Sequence, residues 1–206
     1  MYNFKINSNS IIMKKLLVIA CVFVASFSYA QDLKFGVKGG LNLSNLVGDD
    51  VENTDIRTGI YLGGFLNKPL NDHLSFQPEL IFSMQGAKGE DGFSNNDLTF
   101  KLSYLNVPLL LKLQLGSTDK VHLFAGPQLG FVLKSEIEQE QGDMSGALDI
   151  KDQTNGVDFG LNFGLSFVVS DNMSLDVRYN RGLSKIFEEG GKSYNSVIQL
   201  GASYSF

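Results

Sequence analysis

Apolar and polar residues alternate along most of the chain, which is the pattern of β-strands with two different faces. In the last eleven residues, SVIQLGASYSF, the apolar positions Ile198, Leu200, Ala202, Tyr204 and Phe206 share one side, and small or polar residues occupy the other. Helical periodicity is scarce. Further strand-like segments, most of them alternating, cover residues 33–43, 59–67, 74–83, 98–115, 121–133, 157–169 and 173–180. The sequence therefore predicts eight strands.

The connections between these segments alternate in length. The short ones are residues 68–72, 116–120 and 170–172, and the long polar ones are residues 44–58, 86–97, 135–155 and 186–193. Short turns on the periplasmic side and long loops outside are typical of outer-membrane barrels, whereas a soluble sandwich has no reason to separate loop lengths by end. The pattern predicts an all-β fold, an eight-stranded antiparallel up-and-down transmembrane β-barrel whose closure leaves no unpaired edge in lipid.

Two kinds of irregularity are expected within the strands. The alternation of the fourth segment changes phase near Tyr104 and Leu105, as one inserted bulge residue would cause. Pro78, Pro108 and Pro127 lie inside strands, and each omits one ladder hydrogen bond because proline has no N–H. Local bulges are therefore expected at the three prolines.

The beginning of the chain has the features of a secretory signal peptide. Lys14 and Lys15 precede an unbroken apolar run over residues 16–25, and Ser28 and Ala30 are small residues of the kind a signal peptidase accepts. The apolar run is too short for a helix to span a bilayer, which takes about 20 residues. The prediction is a signal peptide over residues 1–30, with the true start possible at Met13, and an outer-membrane barrel domain over residues 31–206.

Composition narrows the possibilities further. Cys21 is the single cysteine of the 206 residues, and it lies within the predicted signal peptide, so disulfides and thiolate chemistry are not expected in the mature chain. Val-Ile-Ala-Cys also resembles a lipoprotein cleavage site, but the apolar run continues past Cys21. The formal net charge of −5 and the absence of a basic patch argue against nucleic acid as a partner.

Six stretches resemble, in the right order, the strands of the PorT-type outer-membrane β-barrel family. They are LKFGVKGGLNLSNL, LSFQPELIFS, YLNVPLLLKLQ, FAGPQLGFVL, VDFGLNFGLSF and SLDVRYNRGLSKI. The resemblance implies an eight-stranded, OmpA-like barrel in the outer membrane. One namesake member serves a secretion system, which makes an accessory barrel of such a machine the alternative function. Tyr204 and Phe206 resemble the aromatic-ended last strand that the barrel-assembly machinery recognises.

The predicted inward face carries charges of both signs. An eight-stranded barrel is just wide enough to be filled by its own side chains, so a diffusion pore is not expected. The inward-facing charged residues are Lys34, Lys38, Glu79, Lys112, Asp158, Asp176 and Arg178. Because buried ions must be paired, we predict a structural network of lumen charges. A proton path or a narrow ion path is the alternative.

Catalysis and metal binding have little support in the sequence. A lipid-modifying barrel enzyme would need a serine with a histidine and an acid, but His73 and His122 are the only histidines, both at the predicted periplasmic rim and without a marked serine motif. Two histidines without a cysteine give no recognisable metal-ligand spacing. The acidic outer loops are expected to be solvated, with divalent cations bridging to lipid phosphates as the alternative. We therefore predict no enzyme, no cofactor and no metal site.

The predicted function is that of a monomeric integral outer-membrane protein with a structural or surface-binding role, and not that of a diffusion porin. The expected partners are outer-membrane lipid, the barrel-assembly machinery and either a surface ligand or a secretion-machine protein. The secretion accessory and, behind it, the lipid-modifying enzyme are the other candidate functions.

Overall fold

The computed structural model describes residues 33–48, 54–90, 97–116, 120–141, 144–187 and 192–206. Within these ranges the strands are β1 (Lys34–Val47), β2 (Thr54–Pro69), β3 (Leu74–Glu90), β4 (Asp97–Gln114), β5 (Val121–Gln141), β6 (Met144–Asp149), β7 (Val157–Val168), β8 (Met173–Gly182) and β9 (Tyr194–Ser205). One short 3₁₀ turn covers Lys151–Gln153. No helix in the described ranges is both long and apolar enough to cross a membrane. The predicted signal peptide and the start at Met13 lie outside the described residues.

The strands form one antiparallel sheet that closes on itself. Their order is β4-β3-β2-β1-β9-β8-β7-β5-β6, and β4 also pairs with β5, which closes a barrel of eight strands. The predicted fold class is therefore confirmed. In the described part of the chain, β6 pairs only with β5 and stands outside the closed ring. This short strand lies in the predicted long connection 135–155, where no apolar alternation marks it.

The predicted faces of the third and last strands are confirmed. Leu80 and Phe82 of β3 are exposed on the outside of the barrel. Glu79, the residue before Leu80, points the other way and is buried in the lumen. On β9, Leu200 is exposed on the outside and Gln199 is buried inside. The outer surface of the barrel is therefore largely apolar and the inner surface largely polar, the reverse of a soluble protein.

The bulge predicted near Tyr104 is present, but the predicted phase change of the fourth segment was wrong. Leu102 and Tyr104 of β4 are both buried in the lumen, so β4 keeps one phase. The register shift lies on the partner strand: Ser103 pairs with Lys134 and Tyr104 with Val132, which leaves Leu133 of β5 as the extra residue. In the upper half of β4 the residues that face the lumen are apolar, so the alternation in the sequence changes although the strand does not.

The bulges expected at the prolines were also wrong. Pro78 pairs with Leu109, Pro108 with Gln128, and Pro127 lies opposite Leu161, and no register shift accompanies any of them. A missing N–H removes a ladder bond without requiring an extra residue. The other register shift of the described strands lies in β2, between residues 56 and 61.

The strands end in short turns at one end of the barrel, whereas at the other end part of the sheet projects further than the rest. At the turn end, the short connections 70–73, 115–120 and 169–172 join neighbouring strands. At the opposite loop end, β5 continues past its last pair with β7, Phe131–Val157, and pairs with β6 instead. We call the projecting part of the sheet, residues 84–90, 97–103, 134–141 and 144–149, the tall wall. It stands above the side of the barrel formed by the shorter strands β7 and β8.

Candidate functional site

The middle of the lumen holds a cluster of buried charges centred on Glu79. Lys38 Nζ lies 3.0 Å from Glu79 Oε1, and Arg178 Nη2 donates to both carboxylate oxygens of Glu79, at 2.9 and 2.7 Å. Gln77 Nε2 donates a further hydrogen bond of 2.8 Å to Oε1. The four side chains come from three strands, β1, β3 and β8. Glu79 is thus a carboxylate whose oxygens are fully used by donors, as a buried charge requires.

A second carboxylate extends this cluster. Lys38 Nζ also lies 3.2 Å from Asp176 Oδ2, so one ammonium group contacts two carboxylates. Lys112 reaches Ser166 Oγ at 3.2 Å, and Ser166 hydrogen-bonds to Asp176. The cluster of Lys38, Glu79, Lys112, Asp176 and Arg178 contains three positive and two negative groups, so its formal charge is +1.

Aromatic rings fill the remaining space around the charges. The Arg178 guanidinium lies over the Phe124 ring, 5.1 Å from its centroid, in a cation–π arrangement. A Cβ at Gly164 would lie 2.4 Å from that ring, and a Cβ at Gly201 would lie 2.1 Å from the Tyr61 hydroxyl. Glycine at these two positions therefore leaves the space that the aromatic side chains occupy.

Next to the charges, amide side chains bond to one another across the lumen. Gln199 Nε2 donates to Asn42 Oδ1 at 2.8 Å, and Asn42 Nδ2 donates to Ser83 Oγ at 2.9 Å. On the other side, Asn180 Nδ2 donates to Asn162 Oδ1 at 3.1 Å. All five side chains are buried. Neutral amides carry hydrogen bonds through the lumen without adding charge.

An apolar cluster closes the loop end of the lumen. It consists of Leu46, Ala87, Leu102, Tyr104, Val132 and Ile186, with Phe100 and Phe187 packed against it. Ile186 and Phe187 belong to the long connection between β8 and β9, and this part of the connection lies in the mouth of the barrel. Below it, Asn195 Nδ2 donates to the Tyr104 hydroxyl and to Asp158 Oδ2, both at 2.9 Å.

The predicted lumen charges occupy three different places. The structure brings together Lys38, Glu79, Lys112, Asp176 and Arg178 in one cluster. Lys34 is exposed at the turn end of β1. Asp158 lies near the loop end, in contact with Asn195. Alternation along a strand indicates which side a residue faces but not its depth in the barrel, so the sequence could not separate these groups.

Several contributors to the lumen were missed in the sequence. Gln77, Tyr61 and Phe124 contact or surround the charges, and Asn42 and Gln199 belong to the amide layer. All of them lie on inward-facing positions of their strands. Amide and aromatic side chains on an inward face were therefore the signal in the sequence, whereas the predicted network contained charged residues alone.

The histidines do not form a catalytic triad. His73 is exposed in the turn between β2 and β3. His122 of β5 lies opposite Ser166, and Ser166 lies opposite Asp176, so a histidine, a serine and an acid do share one row across three strands. The serine stands in the middle of that row, however, and it is fully buried with its hydroxyl bonded to Lys112. In a catalytic triad the histidine lies between the serine and the acid, and the serine must be accessible to substrate. Neither condition holds for this row.

The two predicted assembly-signal residues lie on the outside of the barrel at the turn end. Phe206 stacks on Phe35 with ring centroids 5.1 Å apart, and Tyr204 meets Phe206 edge-on at 5.2 Å. Both are exposed on the apolar face. Among the described residues, no group of three or more His, Cys, Asp or Glu side chains is arranged to hold a metal.

Comparison with known proteins shows the family. A family model for the outer membrane protein beta-barrel domain matches residues 29–188. The chain belongs to this family. It is therefore an outer-membrane β-barrel protein, and its exposed apolar face is the surface that meets lipid. No curated protein sequence matches the chain significantly.

Solved structures of this outer-membrane barrel type show the same fold. The attachment invasion locus protein Ail of Yersinia pestis, in complex with the heparin analogue sucrose octasulfate, is 17% identical over 85% of this chain and 100% of its own, with a TM-score of 0.53. Neisserial surface protein A is 15% identical over 84% of this chain and 97% of its own, with a TM-score of 0.55. At these identities the similarity concerns the fold alone.

Proposed function

We propose that this outer-membrane barrel is a surface-binding protein with a sealed lumen, and neither a diffusion channel nor an enzyme. The observation that carries the proposal is the filling of the lumen. Buried charges, an amide layer and an apolar cluster succeed one another from the middle of the barrel to its loop end. A solute that crossed the barrel would have to displace all three, so the activity belongs on the outside.

The paired charges then have a structural role. Each carboxylate of the central cluster contacts a cation directly, and the cluster is buried among aromatic rings. Buried ions that are paired and hydrogen-bonded hold surrounding strands in one arrangement. An ion path would instead need exposed groups along its length.

The tall wall is the surface that we propose for binding. It is a continuous antiparallel sheet, because β3 pairs with β4, β4 with β5 and β5 with β6 through its residues. Its described outward residues carry both signs, including a Lys101–Glu138 pair and a Lys134–Glu136 pair of 2.7 Å. Binding residues are expected on loops and connections that a rigid scaffold holds in position. The sulfated ligand of Ail shows that a barrel of this fold can bind a polyanion, but the mixed charge here does not favour one.

The test is complementation of a deletion strain with a variant in which residues 136–149 are replaced by a two-residue Asn-Gly turn. The closed ring does not need these residues, so the variant should fold and reach the surface, as judged by heat-modifiable gel mobility and whole-cell labelling. It should nevertheless fail to restore the envelope phenotype that the wild type restores. Full restoration by the trimmed barrel would contradict surface binding through the tall wall.

The sealed lumen is tested separately in planar lipid bilayers. The purified barrel should give no stable current. A persistent current that changes on substitution of Arg178 by methionine would show an ion path through the charge cluster and would overturn the structural role of the network.

The second candidate is an accessory barrel of a secretion machine, which the resemblance to the PorT-type family supports. In that case the deletion strain should lose proteins that the machine normally delivers to the cell surface. An unchanged surface-protein profile together with a binding defect would favour the first candidate. We propose the signal peptide over residues 1–30 and a monomeric state for either function.

A further inference from the structure

One carboxylate at the loop end of the lumen differs from Glu79 and Asp176 in its surroundings. Glu79 and Asp176 both contact lysine or arginine. In the described ranges, no lysine or arginine nitrogen lies within ion-pair distance of Asp158. Its Oδ2 accepts a hydrogen bond from the amide of Asn195, and the backbone N–H of Ser184 also donates to the carboxylate. A carboxylate removed from water without a cation is costly, so the environment of Asp158 calls for a positive group.

Three buried oxygen atoms at this end of the lumen have no hydrogen-bond donor in the protein. Asp158 Oδ1, Asn195 Oδ1 and Ser193 Oγ are all buried and have no hydrogen-bond partner in the protein. Asn195 is 1% exposed and Ser193 is 5% exposed. Ser193 lies two residues before Asn195, on the same inward-facing side of the chain. Asn195 bonds to Asp158 directly, so their unpaired oxygens belong to groups already in contact.

We propose that Tyr104, Asp158, Ser193 and Asn195, which we call the mouth cluster, bind a calcium ion at the loop end of the lumen. Carboxylate and amide oxygens are protein ligands that Ca²⁺ takes in flexible arrangements, with water completing the shell, while Mg²⁺ demands a near-ideal octahedron. The ion supplies the positive charge that Asp158 lacks and satisfies the oxygens that have no donor.

The position and charge of the mouth cluster determine how an ion would reach it and how tightly it would bind. Asp158 lies on the loop-end side of the central charges, and its side chain is only partly buried, so it keeps some contact with solvent beside the apolar cluster that covers the mouth. The site has a single carboxylate, and Ca²⁺ affinity falls with the number of charged ligands. We expect a dissociation constant of about 10⁻⁴ to 10⁻³ M, as in extracellular calcium modules.

Terbium luminescence provides the direct test. Tb³⁺ replaces Ca²⁺ at oxygen sites, and tyrosine sensitises it only over short distances; the chain contains no tryptophan to interfere. The Tyr104 hydroxyl is bonded to Asn195, which places the ring beside the proposed ion. With the refolded full-length barrel, sensitised luminescence should appear, should be competed by Ca²⁺, and should be lost in Asp158→Asn. The exposed carboxylate of Asp152 provides the matched control, and Asp152→Asn should retain the signal.

Thermal unfolding gives a second, independent readout. Saturating Ca²⁺ should raise the unfolding midpoint of the wild type by about 5 to 10 °C, and NaCl at equal ionic strength should not. Asp158→Asn should abolish the shift. Asn195→Asp adds a second carboxylate, so it should lower the midpoint in chelator and show a larger rise on addition of Ca²⁺.

Two outcomes would overturn the site. Calcium-competed luminescence that persists in Asp158→Asn would mean that surface carboxylates bind the ion. A barrel whose midpoint is the same in Ca²⁺ and in chelator, with Asn195→Asp destabilised but not rescued by Ca²⁺, would mean that ordered water alone satisfies the oxygens of the mouth cluster.

Discussion

Replacing Glu79 with glutamine should destabilise the barrel far more than a charge substitution at an exposed position. The Glu79 carboxylate accepts hydrogen bonds from Lys38, Gln77 and Arg178, and its side chain is fully buried. Glutamine keeps the shape but removes the charge and turns one acceptor into a donor that faces other donors. The central cluster would then carry +2 instead of +1.

The expected loss of stability in Glu79→Gln depends on whether each cation that contacted Glu79 keeps another carboxylate. Lys38 still contacts Asp176 after the substitution, but Arg178 loses the carboxylate that pairs with its Nη2. Removing one member of a buried ion pair costs about 3–5 kcal/mol, because the other charge stays buried without compensation. The matched control is Lys34→Gln, on the same face of β1 but exposed. Such a surface change should stay within about 0.5 kcal/mol of the wild type.

The assay is urea unfolding of the barrel in lipid vesicles, followed by heat-modifiable gel mobility. Adding Arg178→Met to Glu79→Gln removes the unpaired cation, so the double variant should be more stable than the sum of the two single effects predicts. The coupling between contacting residues is about 0.5–3 kcal/mol. A loss below about 1 kcal/mol for Glu79→Gln, or strictly additive effects, would refute the interpretation of the cluster as a structural ion pair.

Other predictions address the lipid face, the topology and the processing. Leu200→Arg should lower the folding yield into vesicles far more than Gln199→Arg, because a charge on the lipid face near the midplane costs about 2–4 kcal/mol; equal yields would contradict the assigned faces. Gly146→Cys in the β5–β6 hairpin should react with an impermeant maleimide on whole cells and Asn172→Cys should not, and the reverse result would invert the topology. Intact-mass measurement on purified membranes should show a chain beginning at Gln31; a longer chain would rule out cleavage there.

The number of barrel strands and the side that most residues face could be predicted from the sequence, because lipid and lumen impose opposite polarity on alternate residues. β9 shows this well, since Leu200 and Gln199 face the sides that alternation predicts. The same logic failed for the upper half of β4. Leu102 and Tyr104 pack in the apolar cluster of the lumen, and alternation cannot distinguish an apolar lumen from lipid.

The contacts between lumen side chains could not be predicted in the same way, because the depth of a residue in the barrel depends on the register between strands. Lys34 and Lys38 lie on the same face of β1, yet one is exposed and the other is buried between two carboxylates. The register of β1 on β2, together with that of β2 on β3, fixes which lysine meets Glu79. The bonds of Asp158 depend in the same way on Asn195, 37 residues away in the chain.

The extra residue of β5 has a consequence for length variation among related sequences. Leu133 and Lys134 are both exposed on the outside, between the inward-facing Val132 and Ser135. Losing Leu133 would restore simple alternation and leave every later residue of β5 on its present side. Losing a residue from the regular part of the strand would exchange the two sides beyond that point. A single-codon deletion should therefore survive selection at Leu133 far more readily than at Leu129, where it would turn the later apolar residues inward.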